Sequence, residues 1–140
     1  MDAYRRRISG PLLDRIDLHV EALPVEYDDL ASELGGEPSA DIRARVMAAR
    51  ALQRERYKAL RGVRCNAQLP SSALRRYCRM TPAAEKILRG AFERLGYSAR
   101  AYDRILRVAR TVADLAGKPL LDEDSLLEAL QYRAQEKLDG

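Results

Sequence analysis

The chain has 140 residues, 46% of them hydrophobic, and a formal net charge of +4 at pH 7, which suits one globular domain of ordinary size. It contains no run of about 18 apolar residues that could span a membrane, and its first residues are charged, unlike a signal peptide, so a cytoplasmic protein without membrane contact is expected. Two cysteines, neither in a CxxC pair, and one histidine cannot assemble a convincing zinc site, and no metal site is expected.

The first regular element is a predicted strand at residues 16–22. Ile16, Leu18 and Val20 alternate with polar residues, which is the period of a half-buried strand. The rest of the sequence offers no convincing partner strand. The chain is therefore predicted to be a piece of a larger protein, cut just upstream of this strand.

Charge is unevenly distributed along the next part of the chain. Residues 21–40 contain six acids and no base, which indicates an acidic connector with a short helical turn near residues 27–34. Residues 41–80 contain eleven bases and two acids, a net charge of +9. This basic stretch is either a surface for nucleic acid or nucleotide phosphate, or a solvated helix face that pairs with the acids before it.

The basic stretch begins with a predicted helix that runs from a cap at Ser39 to about residue 60 and ends at Gly62. One face of it carries Ile42, Val46, Ala49, Leu52 and Gln53. Another face carries the arginines that are the candidate nucleic-acid contacts, namely Arg43, Arg50, Arg54 and Arg61.

Four more helices are predicted from their start and stop signals. A short one begins at Ser71 or Ser72, and Thr81-Pro82 starts a longer one that Gly96 ends. Ser98 caps a helix that Gly117 ends, and Asp122 or Asp124 opens the last. The fold expected from the sequence is mainly α, with one strand followed by five or six helices.

Two arginines are candidates for phosphate chemistry. Arg15 follows a Gly-Pro turn and precedes the strand, where a guanidinium can be offered to a neighbouring subunit's phosphate. Arg100 lies in the first turn of the helix capped by Ser98, and helix starts favour anions. The alternative for both is a salt bridge, with Asp14 or Asp17 for Arg15 and with Asp103 or an upstream acid for Arg100. No phosphate-binding loop of the GxxxxGK[ST] kind is present, so the chain alone is expected to lack ATPase activity.

These arginines lie in two long motifs that carry a family resemblance. Residues 4–21 read YRRRISGPLLDRIDLHVE, and residues 97–117 read YSARAYDRILRVARTVADLAG. Together with RCNAQL at residues 64–69 and EALQYR at residues 128–133, they resemble the magnesium-chelatase-like AAA+ proteins of bacteria, the YifB/ComM group.

The resemblance implies the architecture of a AAA+ C-terminal helical lid. Residues 1–22 would be the end of the ATPase α/β core, with the arginine-finger segment and its strand. Residues 23–40 would be the connector, and residues 41–140 the lid domain. The ATP-binding Walker motifs would lie upstream, so ATP and magnesium are expected in the full-length protein and not on this piece.

The resemblance also implies roles for single residues. Arg15 matches the arginine finger that reaches the ATP of the next subunit in a ring of identical subunits. Arg100 matches the sensor-2 arginine, with Arg107 as a second candidate. The group's competence member acts on DNA as a helicase that promotes branch migration during natural transformation. Two alternatives stay open: a free-standing basic helical module that binds nucleic acid, and a subunit of a magnesium-chelatase-type metal insertion complex.

Overall fold

The computed structural model describes residues 15–20, 22–25, 27 and 36–134. Within residues 36–134 the fold is helical, which confirms the mainly α prediction. Five α-helices and a 3-10 turn follow one another: α1 (Ser39–Tyr57), the 3-10 turn (Asn66–Gln68), α2 (Ser71–Tyr77), α3 (Pro82–Leu95), α4 (Ala99–Leu115) and α5 (Glu123–Ala134).

Local capping sets the bounds of α3 and α4 as predicted. The Thr81 Oγ1 accepts a hydrogen bond of 3.1 Å from the Ala84 backbone N–H, with proline at the next position. The Ser98 Oγ accepts one of 3.1 Å from the Ala101 backbone N–H. Helix α3 stops at Gly96, which adopts the left-handed conformation with φ 57° that glycine tolerates best.

Helix α4 is the central element of the bundle. It packs against α5, α1, α2 and the 3-10 turn, while α3 packs against α5. Its buried stripe includes Ile105, Leu106, Ala109 and Ala113, as its spacing predicts. The other buried apolar residues of the core cluster lie around this stripe; they include Tyr57, Leu69, Leu74, Leu88, Leu121 and Leu126.

Helix α1 departs from its predicted pattern. It ends at Tyr57, so Arg61 lies in the turn beyond the helix and does not continue the arginine face. Only Ala49, Gln53 and Tyr57 of this helix are buried, because only its C-terminal half packs on the bundle. Ile42, Val46 and Leu52 belong to the face that periodicity predicts, yet they are 42%, 45% and 45% exposed.

The strand predicted at residues 16–22 is not found in the described parts of that range. Residues 16 and 18–20 form no regular secondary structure, residue 17 is a bend, and residue 21 lies outside the described residues. A strand requires a partner strand, and the described backbone bond here runs instead to a helix, from His19 N–H to the Tyr132 carbonyl at 2.9 Å. The helical turn predicted near residues 27–34 lies almost wholly outside the described residues.

A buried polar cluster joins α1, the 3-10 turn and α4. Asp114, 3% exposed, accepts hydrogen bonds from Arg56 Nη1 at 2.8 Å and Asn66 Nδ2 at 2.9 Å. It also accepts one from Arg110 Nε at 3.1 Å, and Arg110 is itself 1% exposed. The hydrogen bond with Asp114 raises the pKa of the Arg56 guanidinium, which keeps Arg56 positively charged.

The same cluster ties in the neighbouring chain segments. Tyr57 donates its hydroxyl to Asn66 Oδ1 at 2.7 Å. Arg110 donates to the carbonyls of Lys118 and Pro119 at 2.5 and 2.9 Å, in the loop after α4. A buried carboxylate with several partners is stable only while those partners remain, because an unpaired buried charge is strongly disfavoured.

We therefore expect Asp114→Ala to lower the free energy of unfolding by about 3–5 kcal/mol, because it removes the carboxylate shared by Arg56, Arg110 and Asn66 and leaves two guanidinium charges, one partly buried and one buried, without their counter-ion. Urea denaturation at pH 7 measures this difference. The matched control is Asp124→Ala, which removes a carboxylate that is 86% exposed and should cost no more than about 1 kcal/mol. Equal losses in the two variants would contradict the assigned role of Asp114.

Candidate functional site

The segment that carries Arg15 lies against α4 and α5. Asp17 forms an ion pair with Arg104 of α4. Arg133 of α5 donates from Nη1 to the Ile16 carbonyl at 3.1 Å, and the His19 N–H reaches the Tyr132 carbonyl. Arg15 is exposed, two residues before the ion-paired Asp17. The contacts therefore fix the segment while the guanidinium of Arg15 remains at the surface.

Arg100 is exposed in the first turn of α4, directly after the Ser98 cap. The N-terminal end of an α-helix carries a partial positive charge from its aligned peptide dipoles. An arginine there adds a full positive charge, so the position suits a phosphate. Residues four apart share a helix face, so Arg100 lies on the same side of α4 as Arg104, where the segment of Arg15 is bound.

The other arginines of α4 are engaged within the bundle. Arg104 pairs with Asp17, and Arg110 is enclosed by Asp114 and two carbonyls. Arg107 donates from Nε to the Leu69 carbonyl at 2.9 Å and lies 3.7 Å from Asp103. Arg107 thus joins α4 to the loop before α2, which makes it less available to a ligand than Arg100.

The acids that sequence reasoning offered as salt-bridge partners are used elsewhere. Asp17 pairs with Arg104, not with Arg15. Asp103 accepts from the Ser71 hydroxyl and faces Arg107, not Arg100. Asp14 lies outside the described residues. Among the described residues, neither Arg15 nor Arg100 has an acidic partner.

The candidate nucleic-acid arginines belong to α1 and the turn after it, not to α4 or the segment of Arg15. Arg43, Arg50 and Arg54 are exposed on one face of α1, since their spacings of seven and four residues return to the same side of a helix. Arg61 is exposed in the turn that follows.

Other members of the basic stretch are neutralised. Arg45 pairs with Glu37 of the acidic stretch, and Arg56 pairs with Asp114. The hydrogen bond from Arg45 lowers the pKa of Glu37. The pair of Arg45 with Glu37 is a contact of the kind expected if the basic stretch pairs with the acids before it. Nucleic-acid binding by Arg43, Arg50, Arg54 and Arg61 stays a prediction.

Sequence reasoning missed the link between Asp17 and Arg104. The two residues are 87 positions apart, and no local pattern pairs them. The ion pair of Arg110 with Asp114 could have been predicted from the sequence, because the two residues are four positions apart in a predicted helix.

None of the described helices is long and apolar enough to cross a membrane. No group of three or more His, Cys, Asp or Glu side chains in the described part of the chain could hold a metal ion.

Comparison with known proteins identifies relatives along nearly the whole chain. Residues 36–133 match the family described as magnesium chelatase, subunit ChlI C-terminal. The chain is 40% identical to the competence protein ComM of Haemophilus influenzae and 39% identical to the uncharacterized protein YifB of Escherichia coli, in each case over 137 residues and 96% of this chain. It is 39% identical over 130 residues, 93% of this chain, to the uncharacterized protein Rv2897c of Mycobacterium tuberculosis.

The chain spans about a quarter of the length of these relatives, with 26% of the first two and 25% of the third covered. The matches confirm the resemblance indicated by the two arginine-bearing motifs.

The contacts of the Arg15 segment predict the effect of Asp17→Asn. Loss of a partly exposed ion pair should weaken the attachment of residues 16–20 and speed hydrogen exchange at the His19 amide by up to about fivefold. Amide exchange followed by NMR or mass spectrometry measures the rate. Glu93→Gln, an exposed change on α3, is the control and should leave that amide unaffected. Unchanged exchange in Asp17→Asn would show that Arg104 does not hold the segment.

Proposed function

Because the chain belongs to the family of the magnesium chelatase subunit ChlI C-terminal domain, we propose that it is the helical lid of a AAA+ ATPase that acts on DNA. Arg15 serves as the arginine finger toward a neighbouring identical subunit. Arg100 serves as the sensor that contacts the nucleotide bound by its own subunit. ATP and magnesium are held by the part of the protein that this chain does not span.

One observation carries the assignment of the two arginines. Among the described residues of α4 and the segment bound to it, Arg104, Arg107 and Arg110 are engaged in internal bonds, whereas Arg15 and Arg100 are exposed without an acidic partner. A guanidinium that is paired with a carboxylate must share or give up that partner to reach a phosphate, whereas an unpaired guanidinium is available at once. The geometry therefore favours Arg15 and Arg100 over their neighbours.

The chemistry suits phosphoryl transfer. ATP hydrolysis develops negative charge on the oxygens of the transferred phosphoryl group, and a fixed guanidinium stabilises that charge. Arg15 supplies such a group across a subunit boundary. Arg100 supplies one beside the positive end of α4, where an anion is already favoured.

DNA is the proposed substrate because of the relatives and the charge. One relative is named as a competence protein, and the resemblance of the two arginine-bearing motifs implies a group with a DNA-acting member. The chain's own net charge is +4, with its bases concentrated in residues 41–80. A subunit of a metal insertion complex is the second candidate, because the matching family is named for magnesium chelatase.

In a full-length protein that carries this chain, Arg15→Ala should lower kcat for ATP by about a thousandfold or more, with little change in ATP affinity, because a finger acts on the transition state. Steady-state ATPase assays and nucleotide-binding titrations measure the two quantities. Arg43→Ala, which removes an exposed arginine from α1, is the control and should retain normal turnover.

Subunit mixing tests whether Arg15 acts across the boundary. Arg15→Ala subunits combined with subunits that cannot hydrolyse ATP but keep an intact Arg15 should recover part of the activity. Full activity of Arg15→Ala alone, or no recovery on mixing, would rule out a finger acting in trans.

Arg100→Ala should lower kcat by about 100-fold in the same protein, the usual cost of removing one charge-stabilising donor. Because the sensor acts within its own subunit, mixing with the inactive subunits described above should restore no activity. Arg100→Lys should retain part of the rate, since the charge is kept while the planar fork is lost. Normal kcat in Arg100→Ala would overturn the assignment.

A further inference from the structure

A groove of about 620 Å³ lies between α2, α3 and α4, and neither Arg15 nor Arg100 lines it. We call it the arginine groove. Residues of the end of α2 and the loop after it, of one face of α3, and of the first turns of α4 form its walls; they are Arg75, Cys78, Arg79, Met80, Glu85, Leu88, Arg89, Phe92, Tyr102 and Leu106.

The floor of the arginine groove is apolar. Cys78, Leu88 and Leu106 are 2%, 4% and 1% exposed, and Phe92 is half-buried against them. Burial raises the pKa of the Cys78 thiol to about 11, so the thiol stays neutral near pH 7 and contributes as an apolar group. The floor therefore favours a flat, uncharged group over a phosphate.

The rim is positively charged. Arg75, Arg79 and Arg89 are exposed. Arg89 forms an ion pair with Glu85, one helical turn earlier, with 3.6 Å between Nη2 and Oε1. No carboxylate among the described residues pairs with Arg75 or Arg79. Three arginines face one glutamate, so the rim retains net positive charge and attracts an anion.

An aromatic side chain lies between floor and rim. Tyr102 is 38% exposed, and its ring meets that of Phe92 edge to face, with centroids 5.6 Å apart and planes at 77°. The ring of Phe92 also contacts the ring of the buried Tyr97, with centroids 5.5 Å apart. The rings support one another, so Tyr102 is a fixed platform rather than a loose surface side chain.

We propose that the arginine groove binds single-stranded DNA, with a base against Tyr102 and Phe92 and the flanking phosphates on Arg75, Arg79 and Arg89. An apolar aromatic floor inside a basic rim is the combination that binds single strands, because bases stack and phosphates pair with arginine. Duplex DNA keeps its bases stacked inside, where a concave groove does not reach them. The proposal rests on the proposed function only in taking DNA as the substrate.

An acidic peptide is the competing occupant. It could pair with the arginines of the rim, but its carboxylates would make no use of the platform formed by Tyr102 and Phe92. The exposed ring next to three guanidinium groups thus favours a ligand that is both flat and anionic.

The test uses the full-length protein without nucleotide and a fluorescent oligothymidylate of about 20 nucleotides, with binding followed by anisotropy. Tyr102→Ala should weaken binding by about 5- to 150-fold, the range for loss of one stacked base. Tyr102→Phe keeps the ring and should bind normally. Thermal unfolding of each variant shows whether it is folded.

The charge arm uses the double variant Arg75→Glu with Arg79→Glu. It should weaken binding and reduce the slope of log K against log salt by about 1.4, or about 0.7 for each phosphate that an arginine no longer neutralises. The matched control is Arg43→Glu with Arg50→Glu, which makes the same charge change on α1. Equal or larger losses in the control would place the DNA on α1 and overturn the proposal.

Two probes separate a base-stacking site from a general anionic surface. An oligonucleotide of abasic sites has the same phosphates but no bases, so the wild-type protein should bind it more weakly than oligothymidylate. Tyr102→Ala should bind the abasic strand as tightly as the wild-type protein does, because no base is there to stack. Polyglutamate of matched charge should compete poorly. The proposal would be overturned if the wild-type protein bound the abasic strand as tightly as oligothymidylate, or if polyglutamate competed efficiently with oligothymidylate.

These outcomes are separable from those of the ATPase assays. Loss of turnover in Arg15→Ala together with normal DNA binding by Tyr102→Ala would overturn the arginine groove alone. Weakened DNA binding in Tyr102→Ala with normal turnover in Arg15→Ala would leave the groove in place and overturn the finger.

Discussion

The buried carboxylate of Asp114 is the group around which the bundle is organised. It receives hydrogen bonds from α1 through Arg56, from the 3-10 turn through Asn66, and from α4 itself through Arg110. Without these partners a charge at 3% exposure would be strongly disfavoured, so the three elements must assemble together. Most of the specificity of the α1–α4 contact follows from this requirement, because α1 buries few side chains of its own.

Side-chain contacts hold both ends of α4. Its C-terminal half is fixed through Arg110 and Asp114, and Ser98 closes its first turn. A functional group held on a rigid helix keeps its position better than one on a loop. Arg100 therefore projects from a supported helix end, while the internal arginines of the same helix carry the structural contacts.

The parts of the fold set by local chemistry could be predicted from sequence. Thr81, Ser98 and Gly96 act through neighbours within a few residues, so α3 and α4 begin and end where expected. The failures lie where distant contacts decide. The packing of α1 depends on Arg56 and Asp114, 58 positions apart, and so its exposed apolar residues could not be identified from periodicity alone. The predicted strand had the correct alternation, but alternation does not supply a partner.

Helical geometry relates the two proposed binding regions. Arg100 and Tyr102 differ by two residues, about 200° around α4, so they face opposite sides of the same turn. Arg104, one turn after Arg100, pairs with the segment of Arg15, and Leu106, one turn after Tyr102, lines the arginine groove. A shift of this end of α4 would move both sides at once, because a packed helix moves as a rigid element. The first two turns of α4 therefore physically connect the arginines proposed to contact nucleotide with the groove proposed to bind a single strand.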